Sequence, residues 1–353
     1  MTSTDVSVVM PVYNGMPHLQ AAVESILSQR GVSFELVVVD DGSVDETNHY
    51  LSSIEDPRLR ILHNEPNRGL VYSLNRGVME ARADVIARLD ADDRATSGRL
   101  GRQFALLKSN PRTVLVGGGF RIVDLRSGVL LRHVVPPVQH AAIRVMLHFI
   151  NPLHHSTVMF RRSAWEAAGR YMDSNYPAED YDLWIRLSEI GAVLAVHEDV
   201  AIVGYRPTGI SVQNLARQSA MHLNLAGGCV QSTLSLVDVP PVLEKMLGYS
   251  LSSCAEVSAA NELVLDVTSA VRREASMQGV PRWPASEGAA HVLHAAVRYR
   301  TKDGTRCWPI VASLPFRDTS VTFAIGVHRL KWHCRRIRAS ALNRAGFTGG
   351  LDL

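Results

Sequence analysis

Three carboxylates stand within four residues at Asp90-Ala91-Asp92-Asp93, directly after the short strand-like run Asp84-Val85-Ile86. Like charges this close repel one another, so they are tolerable beside a cation or out in solvent. A strand that delivers Asp-x-Asp to a sheet edge makes a hard, oxygen-only ligand set. Mn²⁺ or Mg²⁺ suits such a set, with water and a substrate diphosphate completing the coordination. A solvated acidic turn is the bland alternative, and the stretch alone does not choose between them. A second acidic group, Glu179-Asp180, heads a run in which Leu183, Trp184, Leu187 and Ile190 share one helical face. A helix N-terminus favours negative charge there, so an acidic helix start and a general base are both consistent with it. Trp184 shares its face with Leu187 and is expected in the core rather than on a ligand-stacking surface.

These groups need a frame. Val6–Met10, Phe34–Val39, Leu59–Leu62 and Asp84–Ile86 are strand-like, and Leu36-Val37-Val38-Val39 is apolar throughout. Helical spacing follows the first three: Leu19, Ala22, Val23, Ile26 and Leu27; a segment from Glu46 that Asp45 can cap; and Gly69–Ala81 with Leu70, Leu74 and Val78 inward. Strands alternating with helices predict βαβ units and a mainly parallel sheet. Ligands in such sheets sit beyond the carboxyl ends of the strands. That rule selects residues 11–14, 40–43, 64–68 and 90–93. Farther on, strands are expected at 113–116, 120–124, 129–135, 157–160, 192–196 and 200–205. Helices are expected at 97–108, 138–149 and 163–169.

Several classes are excluded by what the chain lacks. No Gly-x-Gly-x-x-Gly follows the first strand and no Gly-x-x-x-x-Gly-Lys occurs, which argues against a dinucleotide site and a P-loop. A net charge of +3 over 353 residues carries no nucleic-acid signal. Cys229, Cys254, Cys307 and Cys334 form no Cys-x-x-Cys pair and read as reduced thiols of a cytosolic protein. The first residues carry no signal-peptide pattern, and no apolar run is long enough to span a bilayer.

Taken together, the motifs resemble those of the family 2 glycosyltransferases, over residues 5 to 210. The carriers are Pro11-Val12-Tyr13-Asn14-Gly15, Val39-Asp40-Asp41-Gly42-Ser43 with Asp45 and Thr47, Asn67-Arg68-Gly69-Leu70 with Asn75 and Gly77, the stretch 87–93, and 179–187. The resemblance implies a GT-A fold: an α/β, Rossmann-like, mainly parallel sheet flanked by helices. It implies an inverting, metal-dependent transfer of sugar from a nucleoside-diphosphate sugar, a UDP-sugar being favoured, to a glycan or lipid-linked acceptor. It assigns Pro11, Val12, Tyr13, Asn14, Asp41, Arg68, Asn75, Arg88, Asp90 and Ala91 to the nucleotide and donor, Asp92 and Asp93 to Mn²⁺ or Mg²⁺, and Asp180, with Glu179 beside it, to catalysis as the base. The family's His after the Tyr-Arg pair is absent here, where Pro207-Thr208-Gly209 follows Tyr205-Arg206.

Two competing readings stay open: a nucleotide-sugar-binding or scaffold protein without turnover, and a nucleotidyltransferase. Retention of Asp92 and Asp180 argues against the first. The second is disfavoured because Pro11–Gly15 replaces a Gly-rich loop bearing Arg or Lys. His154 and His155 fall in a loop expected to face the acceptor or to bond backbone. From about Arg217 the strand-helix alternation stops. The expected division is a GT-A nucleotide-sugar-binding domain, residues 1–215, and a mostly helical extension, residues 216–353. The extension ends in a basic amphipathic stretch, 326–344, suited to an anionic membrane surface or to packing. A cytoplasmic protein with peripheral membrane contact is expected, with oligomerisation open.

Overall fold

Strands β1 (Val6–Val12) and β2 (Phe34–Asp40) are buried at every position. Both faces are covered. Val8, Met10 and Val12 pack with Leu19, Ala22, Val23 and Ile26 of α1 (Leu19–Leu27). On the opposite face α3 (Leu70–Glu80) lays Gly77 against Val9 and Val39. A strand sandwiched between helices reads as a continuous apolar run, which is why alternation is missing. The computed structural model describes residues 4–209, 213–247 and 254–277.

The described strands are completed by β3 (Leu59–His63), β4 (Val85–Arg88), β5 (Arg94–Ala95), β6 (Thr113–Asp124), β7 (Leu130–Val134), β8 (Met159–Arg161) and β9 (Ala192–Tyr205). They form one sheet in the order β3-β2-β1-β4-β8-β6-β9-β5, with β7 paired to β6. β3, β2, β1 and β4 run parallel, with Val12 opposite Asp40 and Asp40 opposite His63. Their carboxyl ends therefore share one rim. β8 runs antiparallel to β4 and β6, β6 is parallel to β9, and β5 is antiparallel to β9. The other helices are α2 (Thr47–Ser52), α4 (Arg99–Ser109), α5 (His140–Leu147), α6 (Arg162–Ala167), α7 (Glu179–Ile190), α8 (Leu215–Leu234), α9 (Pro241–Leu247) and α10 (Cys254–Met277).

The expected strands at 113–116 and 120–124 are one strand. The intervening glycines read locally as a break, but Leu153 packs so closely that a Cβ at Gly117 would stand 2.6 Å from its Cδ2. Strand β5, two residues long, is too short to leave a periodic signal. Trp184 is fully buried beside Phe160 and Tyr171.

The chain divides into two units. The first comprises Met1–Ile143 and Asn151–Leu225, and the second Arg144–Ile150 with the described residues from Ala226 onward. In the second unit α9 packs on α10, with Leu243, Met246, Val264, Val267 and Val271 buried. Arg144 pairs with Glu274 at 2.9 Å, and His148 Nε2 meets Thr233 Oγ1 at 2.8 Å. No helix among the described residues is long and apolar enough to cross a membrane. The basic stretch 326–344 lies outside the described residues, as do Cys307 and Cys334.

Candidate active site

Strand β4 ends in Arg88, which is 2% exposed and grips Asp90 with both terminal nitrogens. Four residues after Asp90, β5 pairs with β9, Arg94 lying opposite Ile202. This ties the acidic turn to a strand more than 100 residues later. Asp93 Oδ1 accepts from the Gly204 N–H at 2.7 Å, and Asp92 Oδ2 pairs with Arg206 at 2.7 Å. Position 204 must be small, because a Cβ there would stand 2.5 Å from the Asp92 carbonyl oxygen. Asp90, Asp92 and Asp93 each offer an oxygen within 4.8 Å of the others.

The three carboxyls do not share one electrostatic state. Burial opposes charge on Asp90, but Arg88 outweighs it and holds the pKa below the ordinary carboxylate value. Asp92 is raised by burial and by the Asp90 charge, against the pull of Arg206. Burial, then Asp90 and Asp92, drive Asp93 well above the usual range, and its buried Oδ2 has no hydrogen-bond partner among the described residues. Beneath the turn lies Arg99, fully buried, donating to the carbonyls of Arg88 at 2.8 Å and Val158 at 3.2 Å. Burial, then Arg88, lower its pKa to about 9. His18, just before α1, feels burial first, then Arg206 and Asp92.

The second acidic pair opens α7. Glu179 is 4% exposed, with Oε2 unpartnered among the described residues. Burial, then the Asp180 charge, push its pKa up to about 8. Asp180 is half-buried and raised by burial, while the N–H of Tyr181 and the amide of Asn151 support its charge. Asn151 Nδ2 donates to Asp180 Oδ2 at 3.0 Å.

The 151–156 loop belongs to both groups. From the same loop, Ser156 Oγ accepts from Arg88 at 3.0 Å and from the Asp90 N–H at 3.0 Å, and donates to Asp90 Oδ2 at 3.0 Å. His154 lies within electrostatic reach of Asp90, Arg88 and Asp180. His155 is buried, with Nε2 at 3.0 Å from the Tyr171 hydroxyl and Nδ1 at 3.9 Å from Glu179.

The rest of the rim divides into exposed and engaged residues. Tyr13 is 51% exposed, beside Pro11 and Val12, which end β1 buried. Asn14, at φ 51°, donates its N–H to Ser43 and accepts from the Val44 N–H. The Arg68 guanidinium stacks on the Tyr72 ring at 4.3 Å. Asp41 is buried. Its Oδ1 accepts from Asn64 Nδ2 at 2.6 Å and the Arg68 N–H at 2.9 Å, its Oδ2 from the Gly69 N–H at 2.8 Å. Asn75 likewise uses both ends of its amide on the Tyr171 backbone. Both side chains hold loops together. Arg88 is similarly committed to Asp90, and Ala91 lies partly buried in the acidic turn.

The oxygen-only donor set and the orphaned Asp93 oxygen fit a hard divalent cation. Ser156, Asn151, Arg206 and His18 join the site without having been singled out for it by pattern. The Tyr205-Arg206 pair was marked only by the absent His behind it, and Arg206 is the residue that reaches Asp92.

The model for glycosyl transferase family 2 matches residues 7–167. EpsE of Bacillus subtilis is 33% identical over 236 residues, spanning 62% of this chain and 83% of EpsE. The amylovoran biosynthesis glycosyltransferase AmsE of Erwinia amylovora is 31% identical over 198 residues, spanning 55% of this chain and 73% of AmsE. Among solved structures, TarS 1–349 of S. aureus in complex with UDP-GlcNAc has the same GT-A fold at a TM-score of 0.51 and 14% identity, over 84% of this chain and 81% of that one.

Proposed function

The chain belongs to glycosyl transferase family 2, and from that premise we propose that it moves a sugar from a nucleoside-diphosphate sugar to an acceptor hydroxyl with inversion at the anomeric carbon. One observation carries this reading: the 151–156 loop binds Asp90 through Ser156 and Asp180 through Asn151, so a leaving-group site and a base belong to one constellation. Asp180 is the base. Burial raises its pKa, which offsets the helix terminus that would otherwise leave it too weak to accept a proton. Burial and the Asp180 charge push the Glu179 pKa up to about 8, which favours its uncharged form beside Asp180.

Asp92 and Asp93, with Asp90 beside them, would hold Mn²⁺ or Mg²⁺. Such an ion neutralises the charge that builds on a diphosphate leaving group. Tyr13, with Pro11, Val12 and Asn14, lines the nucleotide base and ribose, and Arg68 faces the donor. Asp41 and Asn75 act through the loops they hold, and Arg88 through Asp90. A UDP-sugar is the donor class to try first, since TarS binds UDP-GlcNAc. AmsE serves amylovoran biosynthesis, which supports a glycan or lipid-linked acceptor in surface polysaccharide synthesis. In this reading residues 1–215 carry catalysis and residues 216–353 form an extension that serves the acceptor, an anionic membrane surface or oligomerisation, on the cytoplasmic side.

Calorimetry with UDP, GDP and dTDP, each with and without Mn²⁺, tests the donor site on wild type and Asp92→Ala. Metal-dependent binding of one nucleotide, lost in the variant, is expected. A folded wild-type protein that binds none of the three would sink the assignment and favour a scaffold.

A further inference from the structure

His154 is a polar side chain of the 151–156 loop for which the mechanism above has no use. It caps the short helical turn His155–Thr157: the Ser156 N–H donates to its Nδ1 at 3.2 Å. A nitrogen that accepts a hydrogen bond carries no proton, so the ring's proton is on Nε2 and the ring is neutral. Burial, the first of the forces on this ring, favours the same uncharged form. The ring is braced against Phe120, centroids 5.1 Å apart. Half-buried, with Nε2 given no acceptor among the described residues, it presents one N–H of fixed tautomer. The ring lies within electrostatic reach of both Asp90 and Asp180, which its loop neighbours Ser156 and Asn151 hold, so it stands beside both acidic groups of the site. What lies there during transfer is the migrating sugar, whose surface is hydroxyl oxygen.

We propose that His154 is a sugar-contacting residue, its Nε2–H donating to a hydroxyl of the sugar being transferred. The inference rests on the donor-site reading above. It makes His154 a determinant of which sugar is accepted, because a donor of fixed tautomer is left unpaired by a sugar that lacks the matching hydroxyl.

Two substitutions separate contact from scaffolding. His154→Asn keeps an acceptor for the Ser156 N–H and removes the Nε2 donor. His154→Gln restores an N–H at greater reach and weakens the cap. The measurement is calorimetric affinity for UDP and for UDP-GlcNAc, or for the nucleotide and nucleotide-sugar that the screen selects, on wild type and both variants with Mn²⁺. Expected is unchanged nucleotide affinity in all three. Nucleotide-sugar affinity should fall about ten-fold in His154→Asn and recover in part in His154→Gln. Equal nucleotide-sugar affinity in wild type and His154→Asn overturns the contact. So does an equal loss for nucleotide and nucleotide-sugar, which would mark a displaced loop. A wild-type protein that binds neither overturns the donor-site reading and this inference with it.

Discussion

The side chain of Asn75 and the backbone of Tyr171, 96 residues apart, form a reciprocal pair: Asn75 Nδ2 donates to the Tyr171 carbonyl at 3.0 Å, and the Tyr171 N–H donates to Asn75 Oδ1 at 3.2 Å. The clip joins α3 to the segment whose tyrosine hydroxyl meets His155. Asn75→Ala should cost about 1–3 kcal/mol, measured by urea denaturation. Nucleotide affinity should hold within about two-fold, since no free amide is removed from the donor side. A large loss of affinity with unchanged stability would instead make Asn75 a donor contact.

Asp180→Asn keeps the shape of the α7 terminus and removes the proposed base. Transfer should slow by about 10²–10⁴-fold with nucleotide binding preserved. Single-turnover kinetics on the folded variant check this, and a kcat within a few-fold of wild type would remove Asp180 from the role.

Glu179 makes stability depend on pH in a defined direction. Its pKa is raised to about 8 in the fold, from a usual value near 4.5. Between those values the folded state holds a proton that the unfolded chain has released, so stability declines as pH rises through that window. The slope from one group is at most about 1.4 kcal/mol per pH unit. Glu179→Gln should flatten that decline, so the variant gains on wild type between pH 5 and pH 8.5. Parallel denaturation midpoints across that range would count against a buried, protonated Glu179.

Ser156→Ala removes three hydrogen bonds at once, two accepted from Arg88 and the Asp90 N–H and one donated to Asp90. The expected loss is about 1–3 kcal/mol of stability, read by thermal melting. Mn²⁺-dependent nucleotide binding should weaken too, because Asp90 loses its orientation. Intact binding in a destabilised variant would restrict Ser156 to a structural part.

Buried strands announce themselves through continuous apolar runs, and ligands in parallel sheets gather at carboxyl ends. Those two regularities were enough to place residues 11–14, 40–43, 64–68 and 90–93 on one rim. Trp184 was legible as core from its spacing to Leu187. Asp45 was expected as the cap of α2, but Glu46 holds that position, and Asp45 Oδ1 accepts from the Thr47 N–H at 3.0 Å from one residue earlier. What stayed hidden were pairings set by the far end of the chain: Arg206 with Asp92, Asn151 with Asp180, Asn75 with Tyr171. No local period encodes a contact across such separations. For the same reason the bonds of Asp41 with the Arg68 and Gly69 N–H groups and of Asn75 with the Tyr171 backbone could not be read, since nothing near either residue in sequence announces them.

The clamp on the acidic turn also dictates when the site can exist. Asp93 is held by Gly204 and Asp92 by Arg206, 111 and 114 residues downstream. A nascent chain that has left the ribosome only as far as β8 has its four parallel strands but neither restraint, and its three neighbouring carboxylates repel unopposed by Arg206. The scaffold is thus available for collapse early in synthesis, whereas a clamped acidic turn waits for β9, the last strand among the described residues. Incomplete chains are in this way kept from holding a formed acidic site before Asp180, the proposed base, and the 151–156 loop are in place.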